Sequence, residues 1–475
     1  MKWYLEENSR DYYREILDLV RIFEPNFEWL EVWEEGAKRV RVEEHDDIHK
    51  LYIDDMCLES NLAGRTTPQE RRRASALVLY EYLAEVFGER SRWGTLTGMR
   101  PNKLVHRKLD ANVAPDDVRA WLMEEYHPHQ SKADLLVDIA VKQRPFFIEY
   151  GDALKQAGVY IAIPFCPTRC AYCSFPGFAL PKPKVLNAYM ANLEKEIRAI
   201  GQATKARGQK IVDLYIGGGT PTTLSATQMD ELLSLVEEAF GGDFLEFTVE
   251  AGRPDTITLE KLEVLKKHHV GRISINPQSM WEPTLTEIGR KHTVQDIIDK
   301  YQMARSVGFD SINMDLIIGL PKETCDNFRY TLDQIGKLMP DNLTIHTLAV
   351  KRSSRLKEEG NFASDQSEVM KMADYAEGWV KEFGYEPYYI YRQKHMLNNL
   401  ENVGYTLPGK ESRYNILMME ERETIYGLGV GSSSKYLCTD GWNLDGDFNP
   451  KDLIMYNERI EEIIRRKVDK IQALS

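Results

Sequence analysis

From residue 159 to about 350 the chain alternates short apolar runs with longer amphipathic stretches, and no other feature of its 475 residues narrows the fold as much. The runs are Val159–Phe165, Ile211–Ile216, Glu246–Val249, Arg272–Ile275, Ser311–Ile318 and Leu343–Leu348. Between them lie the helical candidates Leu186–Ala206, Ala226–Phe240, Leu259–His268, Val294–Val307 and Asn327–Lys337. Strand-length runs that alternate with helices read as parallel βα units, because a parallel crossover needs a helix-sized connection. The expected class is α/β: a partial (β/α)6 barrel over residues 151–350, with an α+β module at 1–150 and an α/β extension at 351–475. Active sites of such barrels gather at the C-terminal ends of the strands.

The cysteines point to that rim. Three of the six fall within eight residues as C-x3-C-x2-C, at Cys166, Cys170 and Cys173, directly after the first apolar run. Cys57, Cys325 and Cys438 are scattered and read as small buried hydrophobes. Six cysteines in a chain of this length are too few for a disulfide scaffold. Three thiolates on one short loop can wrap one face of a metal centre. Structural zinc takes four ligands, commonly in two paired knuckles, and the sequence has no second knuckle. A [4Fe–4S] cluster held by three cysteines keeps one iron open for an outside ligand, which makes it a reactive centre.

Further motifs follow the other strands. Gly217–Thr222 reads GGGTPT, whose glycines let the backbone approach a ligand closely. The third run leads to Glu250, the fourth to Gln278 and then Arg290, and the fifth carries Asp315. An Asp inside an apolar run needs a partner when buried, either a ligand or Arg290.

CPTRCAYC, with Tyr172 just before the third cysteine, resembles the CxxxCxxC signature of radical S-adenosylmethionine (SAM) enzymes. With GGGTPT, Glu250, Gln278, GR-x-HT and DLI-x-GLP in the same order, residues from about 155 to 440 resemble the oxygen-independent coproporphyrinogen III oxidase (dehydrogenase) group, its HemN/HemZ-like members in particular. The resemblance implies a radical SAM barrel in which Cys166, Cys170 and Cys173 hold a [4Fe–4S] cluster. SAM would chelate the fourth iron, and an electron from reduced flavodoxin or ferredoxin would cleave it to a 5′-deoxyadenosyl radical. It also implies cofactor contacts for Tyr172, Gly218, Gly219, Thr220, Glu250, Gln278, Arg290 and Asp315, and a tyrosine near the reacting centre at Tyr160. A second SAM would lie near Gly427–Ser432. The implied reaction is oxidative decarboxylation of coproporphyrinogen III propionates to vinyl groups in haem biosynthesis.

Two departures keep other readings open. The dehydrogenase carries a further cysteine two residues after its third ligand, where this chain has Phe175. Related haem chaperones carry HNxxYW, and the nearest segment here, YRQKHMLNNLENVGY, offers His395 alone. A haem-binding chaperone of the same fold, a methyltransferase and a tetrapyrrole ring-opening enzyme are the alternatives.

The net charge of −13 argues against bulk nucleic-acid binding. Residues 61–110 run the other way, with ten Lys or Arg against five Asp or Glu. There Arg92, Arg100, Lys103, Arg107 and Lys108 interleave with Trp93 and Met99, a segment expected to cover the barrel mouth and hold an anionic tetrapyrrole by its carboxylates. In the same module KRVRVEE and IHKLYID read as a hairpin, and Glu70–Phe87 and Pro115–Tyr126 as helices. The chain shows neither an apolar run of about 18 residues nor a signal-type start, so a cytoplasmic protein without membrane association is expected.

Overall fold

Each of the six apolar runs forms a strand in the computed structural model, which describes all residues except 26, 46, 176, 352–355, 357–364 and 475. The strands are β1 (Gln156–Ile163), β2 (Lys210–Gly218), β3 (Glu246–Gly252), β4 (Arg272–Ile275), β5 (Ser311–Ile318) and β6 (Asn342–Thr347). The intervening helices are α1 (Pro183–Ala206), α2 (Ala226–Phe240), α3 (Leu259–Lys267), α4 (Val294–Val307) and α5 (Cys325–Leu338). Their starts are marked in the sequence: Ser225, Thr293 and Thr324 each close a capping box that satisfies the first free amides of α2, α4 and α5.

The sheet extends past the expected six strands. Residues beyond 380 add β7 (Glu386–Tyr391), β8 (Asn402–Thr406), β9 (Thr424–Leu428), β10 (Ser433–Leu437) and β11 (Leu444–Phe448). The order is β7-β8-β6-β5-β4-β3-β2-β1-β9-β10-β11. β9 lies parallel to β1, Thr424–Leu428 against Ala157–Ile161, so it lengthens the parallel array by one strand. β8 runs antiparallel to β6 and closes the other side of that array.

By contact the described chain divides into two units. One is Lys142–Ile390 with Asn402–Ser475, which holds this sheet; the other is Met1–Val141 with Tyr391–Glu401. In the latter, five strands in the order Glu28–Leu30, Lys2–Leu5, Lys38–His45, Ile48–Ile53, Met56–Asn61 carry helices Tyr13–Phe23 and Pro68–Phe87 over a core that includes Trp3, Leu19, Leu79 and Tyr80. The expected hairpin is its Lys38–His45 and Ile48–Ile53 pair.

Two expectations fail in this unit. Cys57 is exposed on the edge strand rather than buried. Trp93 is no part of a surface basic–aromatic face: it is fully buried, donates from Nε1 to Glu401 (2.8 Å) and lies under the Arg392 guanidinium at 4.9 Å. An indole is buried when its single N–H finds an acceptor, and Glu401, also bound by Lys132 at 2.6 Å, supplies it.

At the N-terminal ends of the central strands lies a buried charge cluster. Asp213 of β2 and Glu423, just before β9, are shut away from solvent, and none of their four carboxylate oxygens has a hydrogen-bond donor. Arg413 approaches Asp213 at 3.1 Å and Glu423 at 3.9 Å. One cation cannot balance two dry carboxylates, so the pair holds a proton: burial first, with Glu246 adding repulsion, pushes Asp213 up to about 7, and burial with the Asp213 charge raises Glu423. A raised carboxyl pKa favours the fold below the unfolded value of 3.8 and loses that contribution as pH climbs through about 7. Wild-type melting temperature should therefore fall by about 2 °C or more between pH 6 and 8.5, while Asp213→Asn flattens that slope. Parallel slopes would show that the pair shares no proton.

Candidate active site

The cysteine loop leaves the C-terminal end of β1 and is tied to its surroundings through backbone. Phe165–Cys166 pairs with Phe178–Ala179, Leu180 N–H donates to Cys166 O (3.0 Å), and Ala171 N–H donates to Ile288 O (3.0 Å). Cys173 N–H turns back onto Cys170 O at 3.1 Å. Burial pushes the Cys166 and Cys173 thiols up, so loading a metal here releases protons.

The glycine run at the end of β2 is pressed against this loop. Gly219 N–H donates to Ile163 O (2.8 Å) and Thr220 N–H to Phe165 O (2.8 Å). A Cβ on Gly219 would stand 2.7 Å from Phe165 O and Pro164 C, both backbone atoms. Gly218 has φ +106°, a conformation that side chains disfavour. Thr220, almost wholly buried, donates from Oγ1 to Cys166 Sγ at 3.4 Å.

The other expected residues stand on successive strand ends. Glu250 of β3 accepts from Tyr215 Oη (2.6 Å), and burial first, with Asp315 adding repulsion, raises its carboxyl to about 7. Tyr160 of β1 is stacked on Tyr215 at 6.0 Å, which itself stacks on Tyr414 at 4.8 Å. Burial and the neighbouring Glu250 keep Tyr160 a neutral phenol, and its hydroxyl has no hydrogen-bond partner among the described residues. Gln278 is 7% exposed, adopts φ +69°, and bridges to β5 through its backbone only: its N–H donates to Asp315 O (2.8 Å). Its side-chain amide makes no hydrogen bond among the described residues. A residue held at positive φ on a strand end, with its side-chain amide uncommitted, is a ligand-binding feature.

Asp315 and Arg290 do not pair. Burial works to raise the Asp315 carboxyl, but His346 (3.7 Å), Asn313 (2.8 Å) and Thr344 outweigh it and hold the group below its usual range. Arg290 is spent elsewhere, donating to Asn276 O (2.5 Å) and Tyr172 Oη (3.1 Å), and so orients Tyr172 on the cysteine loop. Glu250 and Asp315 are thus two carboxyls with separated titrations, one near neutrality and one ionised.

Gly427–Ser432 is also not an open binding loop. Gly429 N–H donates to Glu196 (2.8 Å), Val430 N–H to Tyr189 Oη (3.4 Å), Gly431 N–H to Pro450 O (2.8 Å) and Ser432 N–H to Gly429 O (3.3 Å). Glu196 is buried and bound by Lys467 (2.6 Å), Asn449 (2.9 Å) and Tyr456 (2.7 Å). The glycines form a packed turn after β9, with those amides already committed.

Sequence reasoning missed Arg253. Nearly fully buried, it clamps Asp255 through Nε and Nη2 (2.9 and 2.7 Å) and donates through Nη1 to Thr168 O (3.0 Å) and Oγ1 (2.8 Å), linking the end of β3 to the cysteine loop. Its signal was available: Arg and Asp two residues apart in GRPD, at a strand end.

No three His, Cys, Asp or Glu among the described residues converge on a single ion. Three soft thiols on one loop suit a [4Fe–4S] cluster, with one thiolate to each of three irons.

The profile of the Radical SAM superfamily matches residues 160–335. The chain is 44% identical over 392 residues to the oxygen-independent coproporphyrinogen-III oxidase-like protein HemZ of Bacillus subtilis, covering 82% of this chain and 78% of that protein. It is 29% identical over 279 residues to the heme chaperone HemW of the same organism, covering 58% and 69%. In fold it is similar to the solved coproporphyrinogen III oxidase HemN of Escherichia coli, with TM-score 0.55, 23% identity, and 68% and 72% of the two chains covered. The sheet and its cysteine rim are thus those of a radical SAM protein. Within that superfamily the chain belongs to the HemN/HemZ-like group, whose cofactors are a [4Fe–4S] cluster and SAM. No helix among the described residues is long and apolar enough to cross a membrane.

The close approach of Gly219 to the cysteine loop gives a direct test. Gly219→Ala forces backbone apart at a cost of about 1–3 kcal/mol. Iron bound per chain after anaerobic reconstitution should drop sharply, and an unchanged iron content would mean that the glycine rim does not shape the loop.

Proposed function

We propose that the protein is a radical SAM enzyme acting on a tetrapyrrole, converting coproporphyrinogen III propionates to vinyl groups and yielding protoporphyrinogen IX. The observation that supports it most is the rim itself, where the thiol loop, the uncommitted Gln278 amide and the near-neutral Glu250 stand on neighbouring strand ends. The 44% identity to HemZ over most of the chain directs that chemistry toward tetrapyrroles.

Cys166, Cys170 and Cys173 would hold the cluster, and Gly218–Thr220, Glu250, Gln278 and Asp315 would hold SAM. Bound together, these cofactors supply one-electron cleavage of SAM and a radical that abstracts hydrogen. Arg290 orients Tyr172 beside the cysteines, and Thr220 tunes the Cys166 sulfur by its hydrogen bond. Glu250 accepts a hydroxyl or ammonium proton best when ionised. Tyr160, kept protonated, serves as a neutral donor near the reacting side chain. The propionate gives up one hydrogen atom, then one electron to an acceptor, and departs as CO₂ to leave the vinyl group. In the Met1–Val141 unit, Arg107 is exposed and Arg100 part-exposed, cations of the kind that bind carboxylates.

A second reading, haem handling, draws on Phe175 at the place of the dehydrogenase's further cysteine and on the likeness to HemW. Anaerobic incubation of the reconstituted protein with SAM, reductant, an electron acceptor and coproporphyrinogen III separates the two. The enzyme reading expects 5′-deoxyadenosine and a vinyl product in step. Stoichiometric haem uptake without decarboxylation would replace it.

Glu250 provides a pH test. With its carboxyl near 7, the cofactor-loaded site should bind SAM about tenfold more tightly at pH 8 than at pH 6, the effect of one charge-assisted hydrogen bond. Glu250→Gln should erase that dependence in equilibrium titrations; a Gln variant with the wild-type pH profile would remove Glu250 from the site.

A further inference from the structure

The segment that follows the third cysteine has an unusual surface. Phe175 (67%), Leu180 (46%) and Val185 (41%) are large apolar side chains left exposed within eleven residues. Lys182 and Lys184 are exposed between them, and neither has an ion pair among the described residues. The chain carries no acidic residue from Cys173 to Leu193. Lys291, exposed next to the Arg290 that binds Tyr172, adds a further cation from the facing loop, where Thr168 Oγ1 meets Gly289 O at 3.4 Å. The nearest carboxylate of that loop, Glu287, is bound by Lys322 at 2.9 Å.

This surface lies against the cysteines. Leu180 N–H bonds Cys166 O directly, and Phe178–Ala179 pairs with Phe165–Cys166. Phe175 is two residues from Cys173. Exposed apolar side chains interleaved with cations, on the segment that follows the cysteine loop, have the make-up of a transient protein interface.

We propose that Phe175, Leu180, Val185, Lys182, Lys184 and Lys291 form the docking surface for an acidic one-electron carrier protein of the flavodoxin or ferredoxin class. The proposal rests on the cluster reading of the three cysteines. Electron transfer weakens steeply with distance, so a protein donor must sit where the cysteine loop is nearest the surface. The chain's charge of −13 repels an acidic partner at long range, and a local basic collar is what reverses that repulsion at the point of contact. In the encounter the donor is oxidised by one electron and the cluster reduced by one, with no proton or atom exchanged. Exposed apolar side chains then supply contact area while the lysines steer, which suits a complex that must also dissociate quickly.

The test uses the full-length reconstituted protein and a reduced bacterial flavodoxin in anaerobic stopped flow, with dithionite as a small reductant that needs no docking surface. Lys182→Glu/Lys184→Glu should slow reduction by flavodoxin at least about tenfold at low salt and weaken its salt dependence. Its iron content, dithionite-reduced electron paramagnetic resonance signal and rate with dithionite should match wild type. Phe175→Ser should weaken flavodoxin binding in calorimetric titration while keeping the salt dependence. An unchanged flavodoxin rate in the lysine variant would place docking elsewhere, and an equal loss with dithionite would show a defect at the metal site; either overturns the proposal. A wild-type protein with no dithionite-reduced cluster signal would instead remove the cluster reading, and the docking surface with it.

Discussion

The closeness of two backbones, the glycine end of β2 and the cysteine loop after β1, is the constraint on which the rest of the site depends. Gly219 lies where a Cβ would overlap Phe165 and Pro164, and the amides of Gly219 and Thr220 are bonded to Ile163 and Phe165. This seam does two things at once. It fixes the start of the loop that carries the three thiols, and it brings the Thr220 hydroxyl to Cys166 Sγ. From the far side the Arg253 clamp on Thr168 and the Ile288 carbonyl on Ala171 secure the same loop. The thiols are therefore presented by a braced scaffold rather than by a free hairpin, as a reactive metal site requires.

Around that seam the charges are sorted by what each strand end can offer. Asp315 is ionised because His346, Asn313 and Thr344 stabilise its charge, whereas Glu250, with one tyrosine donor and an anion nearby, titrates near neutrality. Arg290 supplies no counter-charge to Asp315; it stiffens Tyr172. The buried Asp213–Glu423 pair sits at the opposite ends of the strands, where a barrel's residues serve stability, and it fastens β9 beside β1 and β2. Two groups of buried carboxyls thus have different tasks, set by which end of the sheet they occupy.

Much of this was readable from the chain. The six strands and the helices between them follow from local periodicity and caps, so their limits agree with the structure to within a few residues. The polar residues at strand ends were found because order and spacing are sequence properties. What could not be read depends on contacts between distant residues. β9 pairs with a strand more than 250 residues earlier, and nothing in TIYGL marks it as parallel to β1. The glycines after β9 looked like a ligand loop, but their amides are taken by Glu196, Tyr189 and Pro450, partners remote in sequence. Trp93 looked like part of a basic face because periodicity does not show that Glu401 waits to accept its N–H. The Asp315–Arg290 pairing failed for the same reason, since His346 and Tyr172 were competing partners that no local pattern reveals.

The function proposed for this rim requires that Cys166, Cys170 and Cys173 hold a four-iron cluster with one iron open to SAM. Mössbauer spectroscopy of the protein reconstituted anaerobically with ⁵⁷Fe tests it most directly. The expected result is a [4Fe–4S] spectrum in which one iron is distinct from the other three and shifts when SAM is added, the three cysteine-bound irons staying put. A spectrum that is the same with and without SAM, or iron bound in any form other than a four-iron cluster, would contradict it.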